Sequence, residues 1–388
     1  MEKKTLDTMV KKHQKHAKLT RPALGHFGRN ELAILGIPCG EIKKLARTIS
    51  EQLSSRHKIA YVDADHKSAD DESNLEGSSL AYGNQLEYVD KIDFHRFDQM
   101  GEFNSFDYKK KFIDQDLVLV NGNHFEGNQQ ILVIDSRKSL EKKLHKLTQV
   151  GLILFQEGES DIPDYLQAHI SNWNEIPQLS IGDTKSIVSW ISKTLENNLP
   201  AIHGLVLAGG QSTRMKRDKS EINYFGKGQK DYMYDLLANV SDQAYYSVRQ
   251  DQATADSTNE VVDTFTGLGP YGAILSAFRT NPNAAWLVTA CDQPFITKET
   301  LELLISKRNP SKAATAFYNP ETEFPEPLIT LWEPRAYSHL LHFLSLGYSC
   351  PRKVLINTDI EIVHLDDPSV LKNVNTPEEY EEAIKILG

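Results

Sequence analysis

The chain of 388 residues is longer than one hydrophobic core usually supports, so two domains are expected. Its composition, 40% hydrophobic and 25% charged, is that of an ordinary soluble globular protein, and no apolar run approaches the ~18 residues needed to span a membrane. The N-terminus has no apolar signal-peptide core, and the three cysteines are too scattered to predict a disulfide framework or a zinc site. We therefore expect a protein of the reducing cytoplasm with no membrane partner.

The formal net charge of −10 is unevenly distributed along the chain. Residues 1–30 contain eight Lys or Arg and two Asp or Glu, a local charge of +6, so the remainder carries −16. A basic arm of this kind can bind nucleic acid, or it can be a solvated leader. Because no aromatic-rich basic module accompanies the arm, the solvated leader is favoured and no nucleic-acid partner is expected.

Apolar strands alternate with helical segments through the first half of the chain. This alternation predicts a mainly parallel sheet with helices on both faces. Residues 64–92 are polar and acidic and predict a long surface excursion. Helical spacing predicts a helix over 41–53. Apolar runs predict strands at 32–35, 58–63, 116–120, 131–134 and 151–155.

The turn after the first strand, Gly36 to Gly40, has the position of a phosphate-binding P-loop but lacks its side chains. A working P-loop, G-x-x-x-x-G-K-[ST], uses its Lys to reach the phosphates and its hydroxyl to hold magnesium. Here the two glycines are one residue too close, and Glu41 and Ile42 stand at the Lys and Ser/Thr positions. A carboxylate repels phosphate and Ile cannot ligate a metal, so we predict no triphosphate hydrolysis at this turn.

Residues 160–200 join the two halves. Residues 183–197 have the spacing of an amphipathic helix, with Asp183 as its N-cap and Pro200 shortly after its end. We therefore divide the chain into domains of residues 1–198 and 199–388.

The second half begins with an apolar strand that runs into a glycine-rich loop. Its sequence from Leu205 to Met215 is LVLAGGQSTRM, and Asp218 and Lys219 follow. Two glycines let the backbone approach a base or a phosphate closely, and Arg214 and Lys219 can offset the charge of a triphosphate. The glycines alone would indicate only a tight turn.

The whole string resembles the signature of the molybdenum cofactor guanylyltransferase family, L-A-G-G-x-S-x-R-M-G-x-D-K. Lys216 stands where the family has Gly, and we expect this extra positive charge beside the phosphates or at the rim of the site. The resemblance implies catalytic roles for Arg214 and Lys219 at the triphosphate. It also implies nucleotide contacts by the loop residues Leu207, Ala208, Gly209, Gly210 and Gln211, together with Lys219.

Two aspartates follow in the family's order. Asp263 precedes a run of glycines up to Gly272, and the resemblance places it near the base and ribose, although these glycines could simply begin a helix. Asp292, in the string C-D-Q-P-F, follows a buried strand, and ligands of open α/β sheets bind at the carboxyl ends of strands. It corresponds to the family's metal-binding Asp, and carboxylate oxygen suits Mg²⁺. We expect Asp292 to be catalytic, to bind nucleotide and to hold Mg²⁺.

Three later segments resemble the family's acceptor site. Residues 324–328 help to shape that site in the family, or they are a proline-rich entry to a strand. Arg352 and its neighbour Lys353 suit an anionic acceptor, or form a solvated basic turn. Asn373 and Asn375 match the N-x-N-T-P segment that faces the pterin, although the second Asn and the following Thr could merely cap the last helix.

The resemblance implies an α/β fold of two doubly wound, mainly parallel-sheet domains. The N-terminal one is a degenerate P-loop-like domain, similar to the adaptor protein of molybdopterin-guanine dinucleotide biosynthesis; the C-terminal one is a Rossmann-like nucleotidyltransferase. The implied reaction moves GMP from GTP to molybdenum-bearing molybdopterin, with molybdoenzymes or cofactor-insertion proteins as partners. Gly209 favours GTP, because relatives that use CTP often have Ala there. A related transferase using CTP or a sugar-phosphate acceptor, and a non-catalytic nucleotide- or cofactor-binding adaptor, remain alternatives.

Overall fold

The fold is built on two mainly parallel sheets, one in each half of the chain. The computed structural model describes residues 28–64, 77–101, 107, 110–208, 222–255 and 257–387. The predicted α/β class is confirmed, with the β-strands of each sheet covered by helices. Within the described residues, no helix is long and apolar enough to cross a membrane.

The first sheet is entirely parallel, in the order β2-β5-β1-β6-β7-β8. Its central strands are continuous apolar runs because both of their faces are buried. The strands described in this half are β1 (Asn30–Leu35), β2 (Ile59–Val62), β3 (Leu86–Asp90), β4 (His95–Gln99), β5 (Leu117–Asn121), β6 (Gln129–Ile134), β7 (Val150–Phe155) and β8 (Gln178–Ser180). The helices are α1 (Cys39–Leu53), α2 (Asp164–His169) and α3 (Thr184–Asn197), with 3-10 turns at Ser79–Tyr82 and Glu141–Lys146.

Helices α1 and α3 pack together on one face of this sheet. Their buried positions recur at helical spacing, as with Ile42, Leu45 and Ile49 in α1, and one cluster joins them to the strands. Asp183 caps α3 as predicted, because its carboxylate accepts a 3.1 Å hydrogen bond from the Ser186 N–H.

The surface excursion predicted for residues 64–92 contains regular structure that the polar sequence does not indicate. Strands β3 and β4 form an antiparallel hairpin that begins within it, while residues 65–76 lie outside the described residues. Tyr88 and Phe97 pair across the hairpin with ring centroids 4.9 Å apart, yet both side chains remain exposed. The hairpin therefore adds little to the buried core.

The second sheet has the order β11-β10-β9-β12-β14-β13-β15. Its strands are parallel except for β14, which runs antiparallel to both neighbours. The strands are β9 (Ile202–Leu207), β10 (Gln243–Val248), β11 (Glu260–Val262), β12 (Ala285–Ala290), β13 (Ala314–Asn319), β14 (Phe324–Trp332) and β15 (Ile360–Val363). The described helices are α4 (Gln229–Ala238), α5 (Pro270–Thr280), α6 (Lys298–Ser306), α7 (Ala336–Ser345), α8 (Pro351–Ile356) and α9 (Pro377–Leu387), with a 3-10 turn at Pro368–Leu371.

The two halves keep separate apolar cores and meet through polar groups. Each of the described hydrophobic clusters draws its residues from one half only. Between the halves, the Arg335 guanidinium lies 2.6 Å from the Asp116 carboxylate, and Ser311 donates a 2.7 Å hydrogen bond to the same carboxylate. His339 Nε2 lies 2.8 Å from Asp114 Oδ1. This polar contact agrees with the predicted division near residue 198, which stays a prediction.

Candidate active site

The candidate active site lies at the carboxyl edge of the second sheet, where β9 and β12 end side by side. Leu207 and Ala208 are half-buried there, and the Cys291 thiol donates a 3.5 Å hydrogen bond to the Leu207 carbonyl, which ties the two strand ends together. The remaining signature residues lie outside the described residues: Gly209, Gly210, Gln211, Arg214, Lys216 and Lys219.

Asp292 follows β12 and contacts the C-terminal asparagine segment directly. Its main-chain carbonyl accepts a 2.7 Å hydrogen bond from the N–H of Val374, the residue between Asn373 and Asn375. Val374 is buried, whereas Asn373 is exposed and Asn375 half-buried. The structure thus brings together residues that are 80 or so positions apart in the sequence, and their roles stay predictions.

The asparagine segment is held by a capping box at the start of α9. Glu379 accepts hydrogen bonds from the N–H groups of Asn375 and Thr376, at 2.6 and 3.0 Å, while Thr376 accepts one from the Glu379 N–H. The capping alternative is therefore correct for Thr376. Capping and binding are compatible, because the box fixes the backbone from which the asparagine side chains project.

Asp263 lies on the opposite side of β9, after β11. The Ser247 hydroxyl donates a 2.9 Å hydrogen bond to its carboxylate, and its own N–H donates to the Val248 carbonyl. Burial raises the pKa of Asp263 above its ordinary value, and the Ser247 hydrogen bond partly offsets this. The sheet order places the end of β9 between Asp263 on the β10 side and Asp292 on the β12 side.

The glycine run after Asp263 has a structural role at the start of α5. A Cβ on Gly272 would lie 2.1 Å from the Phe265 carbonyl oxygen, so no larger residue fits without a backbone shift. Tyr271 is fully buried and its hydroxyl donates to the Leu340 carbonyl at 2.7 Å. The helix-start alternative therefore accounts for Gly272, and Tyr271 belongs to the core.

Glu326, which was predicted only as part of the segment 324–328, is a buried carboxylate beside Asp292. Strand β14 pairs antiparallel with β12 from Trp286 opposite Trp332 to Val288 opposite Thr330, so Glu326 lies toward the end of β12 from which Asp292 follows. Burial raises the pKa of Glu326; the Asp292 charge adds to the rise, and the Arg352 guanidinium opposes it. The proline-flanked acid in an apolar strand was the signal in the sequence.

Arg352 lies near the start of the short helix α8 and is half-buried. Within the described part of the chain, its Nε is buried and has no hydrogen-bond partner. The neighbouring Lys353 instead places its ammonium 4.7 Å from the centre of the Tyr348 ring. The two cations predicted at this helix start therefore differ: Lys353 has an aromatic partner on the surface, and Arg352 is the one whose charge acts on Glu326.

The donor set at Asp292 fits magnesium that is shared with phosphates. The described residues contain no group of three or more His, Cys, Asp or Glu that could hold a metal ion by themselves. Mg²⁺ is usually bound by one or two carboxylates together with substrate phosphates and waters, so a full protein cage is not required. Asp292 supplies such an oxygen ligand at the edge where a triphosphate would bind.

At the carboxyl edge of the first sheet, internal contacts occupy the P-loop position. Lys138 donates a 3.0 Å hydrogen bond to the Ile37 carbonyl, and Asn123 donates another at 3.0 Å. Glu41 pairs with Arg137 at 3.0 Å, so the carboxylate at the P-loop Lys position is already neutralised by the chain. These internal contacts occupy the groups at this turn, and the absence of triphosphate hydrolysis there stays a prediction.

The second half matches a known family of enzymes. Residues 204–360 match the model of the MobA-like NTP transferase domain. A molybdenum cofactor biosynthesis bifunctional protein of Synechocystis sp. is 34% identical over 206 residues, which cover 52% of this chain and 59% of that protein. A probable molybdenum cofactor guanylyltransferase of Nostoc sp. is 28% identical over 189 residues, 47% of this chain and 89% of that protein.

Solved structures resemble parts of this chain. Molybdopterin-guanine dinucleotide biosynthesis protein A from Archaeoglobus fulgidus has a TM-score of 0.41 and 20% identity, covering 47% of this chain and 97% of that one. A MobB protein homolog from Bacillus stearothermophilus has a TM-score of 0.31 and 13% identity, covering 43% and 99%.

These findings define the class of the protein, which carries an α/β nucleotidyltransferase. More narrowly, residues 204–360 match the MobA-like NTP transferase domain, which confirms the resemblance predicted from the signature loop. The match to the bifunctional relative spans only 59% of its length.

Proposed function

We propose that this chain transfers GMP from GTP to the phosphate of molybdenum-bearing molybdopterin and forms the guanine dinucleotide cofactor. The observation that carries the proposal is the 2.7 Å hydrogen bond between Val374 and Asp292, which joins the asparagine segment to the end of β12 beside the β9 loop. Relatives named molybdenum cofactor guanylyltransferase support this choice of reaction.

The reaction exchanges one phosphoanhydride bond for another. An oxygen of the acceptor phosphate forms a bond to the α-phosphorus of GTP, and the bond from that phosphorus to the β-phosphate bridging oxygen breaks. Pyrophosphate leaves with the electron pair. Because the nucleophile is already an anion, the residues of the site act mainly by positioning the two substrates and offsetting their charge.

On the nucleotide side, the loop from Leu207 to Gln211 approaches the base through backbone groups, with Asp263 on its far side near the base and ribose. Arg214 and Lys219 bind the triphosphate and stabilise the negative charge that develops on pyrophosphate. Gly209 favours guanine over cytosine. These assignments rest on the match to the MobA-like domain.

Asp292 would hold Mg²⁺, and the bound ion would supply charge neutralisation to the phosphates. The carboxylate is fixed for this task because its backbone is pinned between β12 and Val374. Its position on the β12 side of the loop sets it between the nucleotide and the acceptor residues.

On the acceptor side, Arg352 offsets the charge of the acceptor phosphate, and Asn373 and Asn375 face the pterin. The capping box of Glu379 and Thr376 keeps the asparagine segment ordered before substrate binds. We place the reaction in the cytoplasm, with molybdoenzymes or cofactor-insertion proteins as recipients of the product.

The test incubates the purified chain with Mg²⁺, molybdopterin and GTP, CTP, ATP or UTP in turn, and identifies the dinucleotide by mass. We expect the guanine dinucleotide with GTP. A cytosine dinucleotide would support the alternative base, and nucleotide binding without any product would support the adaptor alternative.

Replacing Asp292 by Asn tests the metal assignment. Loss of a carboxylate that holds Mg²⁺ should lower the transfer rate by roughly 10³-fold, equivalent to about 4 kcal/mol of transition-state stabilisation. Asp183→Asn is the matched control, because Asn caps a helix as well as Asp and the site is in the other half of the chain. A full rate of pyrophosphate release in Asp292→Asn would show that Asp292 does not hold the metal.

A further inference from the structure

Glu326 has a buried carboxylate at the edge of the candidate active site. Only 4% of the residue is exposed, and it lies in β14, between two prolines. Pro325 and Pro327 have no N–H to donate, and the paired register of β12 and β14 ends at Val288 and Thr330. The backbone ladder therefore stops short of Glu326, on the side where Asp292 leaves β12.

The contacts of the Glu326 carboxylate are too long to satisfy it. Asn319 donates to it at 3.3 Å, and the N–H of Leu328 donates at 3.4 Å, both beyond the usual 2.7–3.2 Å of an N–H···O hydrogen bond. A buried carboxylate with such weak partners has acceptor capacity left for a ligand.

Two other side chains, of Gln293 and Arg352, also have buried polar atoms without hydrogen-bond partners among the described residues. Gln293, which follows Asp292, is only 1% exposed, and within the described part of the chain neither atom of its side-chain amide has a hydrogen-bond partner. The Nε of Arg352 is buried and has no partner among the same residues. Buried polar groups are nearly always paired, so these side chains, which lack partners among the described residues, have hydrogen-bonding capacity that a polar ligand can use.

We propose that Glu326 determines acceptor specificity by binding the 2-amino-4-oxopyrimidine edge of the pterin. This inference rests on the proposed function. The pterin edge presents two parallel N–H donors, from N3 and the 2-amino group, and a carboxylate accepts such a pair with both of its oxygens.

The position of Glu326 assigns it to the acceptor and not to the guanine of GTP, which has a similar edge. Glu326 lies on the β14 side of Asp292, with Arg352 as the nearest named cation. Asp263, the carboxylate on the nucleotide side, lies across β9 next to β10. Each of the two related heterocycles thus meets a carboxylate of its own.

The experiment measures binding of two probes, 6-hydroxymethylpterin phosphate and 6-hydroxymethyllumazine phosphate, to the full-length chain without GTP. Lumazine has an oxo group where pterin has the 2-amino donor. Its oxo oxygen would therefore face an oxygen of the Glu326 carboxylate, and two acceptors cannot form a hydrogen bond. We expect the wild type to prefer the pterin by roughly 10- to 100-fold, the effect of a hydrogen bond to a charged group.

The Glu326→Gln variant should lose or invert that preference, because a carboxamide offers one acceptor and one donor and so matches lumazine. The KM for GTP in the transfer assay should stay within about threefold of wild type, since the nucleotide side is unchanged. Glu333→Gln is the control: Glu333 is fully buried at the other end of β14 and paired with Arg308, so its loss lowers stability but leaves the preference intact.

Several results would overturn the inference. They are an unchanged preference in Glu326→Gln, an equal loss of preference in Glu333→Gln, a raised KM for GTP, or a raised Mg²⁺ requirement with the preference intact. The binding assay contains no GTP and is separate from the transfer reaction. A wild type that makes the dinucleotide without preferring pterin refutes this inference alone, and one that prefers pterin without making any dinucleotide refutes only the proposed function.

Discussion

Replacing Arg335 by Met should weaken the contact between the two halves of the chain. The guanidinium is 2% exposed, lies 2.6 Å from the Asp116 carboxylate and donates a 2.7 Å hydrogen bond to the Asp114 carbonyl. Methionine keeps much of the apolar stem but removes every donor. The change therefore leaves Asp116 as a buried charge without its cationic partner.

The expected loss of stability depends on the hydrogen bonds that Asp116 keeps in the variant. Removing one partner of a buried ion pair costs about 3–5 kcal/mol, because the other charge stays desolvated. Asp116 retains the hydroxyl of Ser311 at 2.7 Å and the N–H of Lys58 at 2.8 Å, so the lower end of that range applies. We expect Arg335→Met to lower the free energy of unfolding by about 3 kcal/mol.

The assay is urea unfolding followed by tryptophan fluorescence. Trp286 and Trp332 are fully buried in the second half and report on its unfolding. With a denaturant slope of about 3 kcal/mol per M, the midpoint should fall by about 1 M. Lys58→Met is the matched control, because it breaks an ion pair with Asp359 that joins the same two halves but is largely exposed, and such pairs contribute about 1 kcal/mol or less.

A double-mutant cycle with Asp116→Asn isolates the pair itself. We expect a coupling energy of about 2 kcal/mol between Arg335 and Asp116, well above the few tenths that surface pairs give. A coupling below about 0.5 kcal/mol, or a midpoint shift in Arg335→Met no larger than in Lys58→Met, would refute the argument that this buried pair holds the halves together.

Two further predictions concern the first half. Gly36→Ala should lower the free energy of unfolding in urea by about 2–3 kcal/mol, because φ is +99° and the new Cβ would lie 2.0 Å from the Val133 carbonyl oxygen. The control Gly40→Ala meets nothing within 4 Å inside α1 and should stabilise the protein by up to about 1 kcal/mol. Equal midpoints for the two variants would contradict this prediction. A hydrogen bond with His339 lowers the pKa of Asp114, so Asp114 contributes stability that is present above about pH 4 and is lost as the pH falls through its folded pKa. Asp114→Asn should therefore flatten the loss of stability measured between about pH 5 and pH 2, and an unchanged slope would refute the assignment.

The sequence predicts those parts of the fold whose signals are local. Continuous apolar runs predicted the buried parallel strands, and helical spacing with Asp183 as N-cap predicted α3 to within one residue of its observed start. The boundary errors are small, as with α1, which begins at Cys39 and not at residue 41. A strand buried on both faces gives a continuous apolar run and a helix buried on one face gives helical spacing, so both patterns can be identified from the sequence alone.

The hairpin β3–β4 was not predicted because it buries no continuous face. Its strands, LEYVD and HRFDQ, are mostly exposed, so neither has the apolar pattern that identifies a strand. The pairing of Arg335 with Asp116 could not be predicted from the sequence either, since 219 positions separate the two residues and no local pattern links them. Glu326 shows the same limit, because its neighbours Asp292 and Arg352 come from other elements of the sheet and its covering helices.

The way the halves meet has a consequence for how they can work together. The contact is made at the amino ends of β1 and β5 and, in the second half, near the start of β9 and the end of the antiparallel strand β14. The ends of β9 and β12, with Asp292, lie at the other edge of the second sheet, and the turn from Gly36 to Gly40 lies at the other edge of the first. The candidate active site is therefore about a full strand length away from the contact. The polar contact fixes the two halves together at the ends of the sheets that are remote from Asp292.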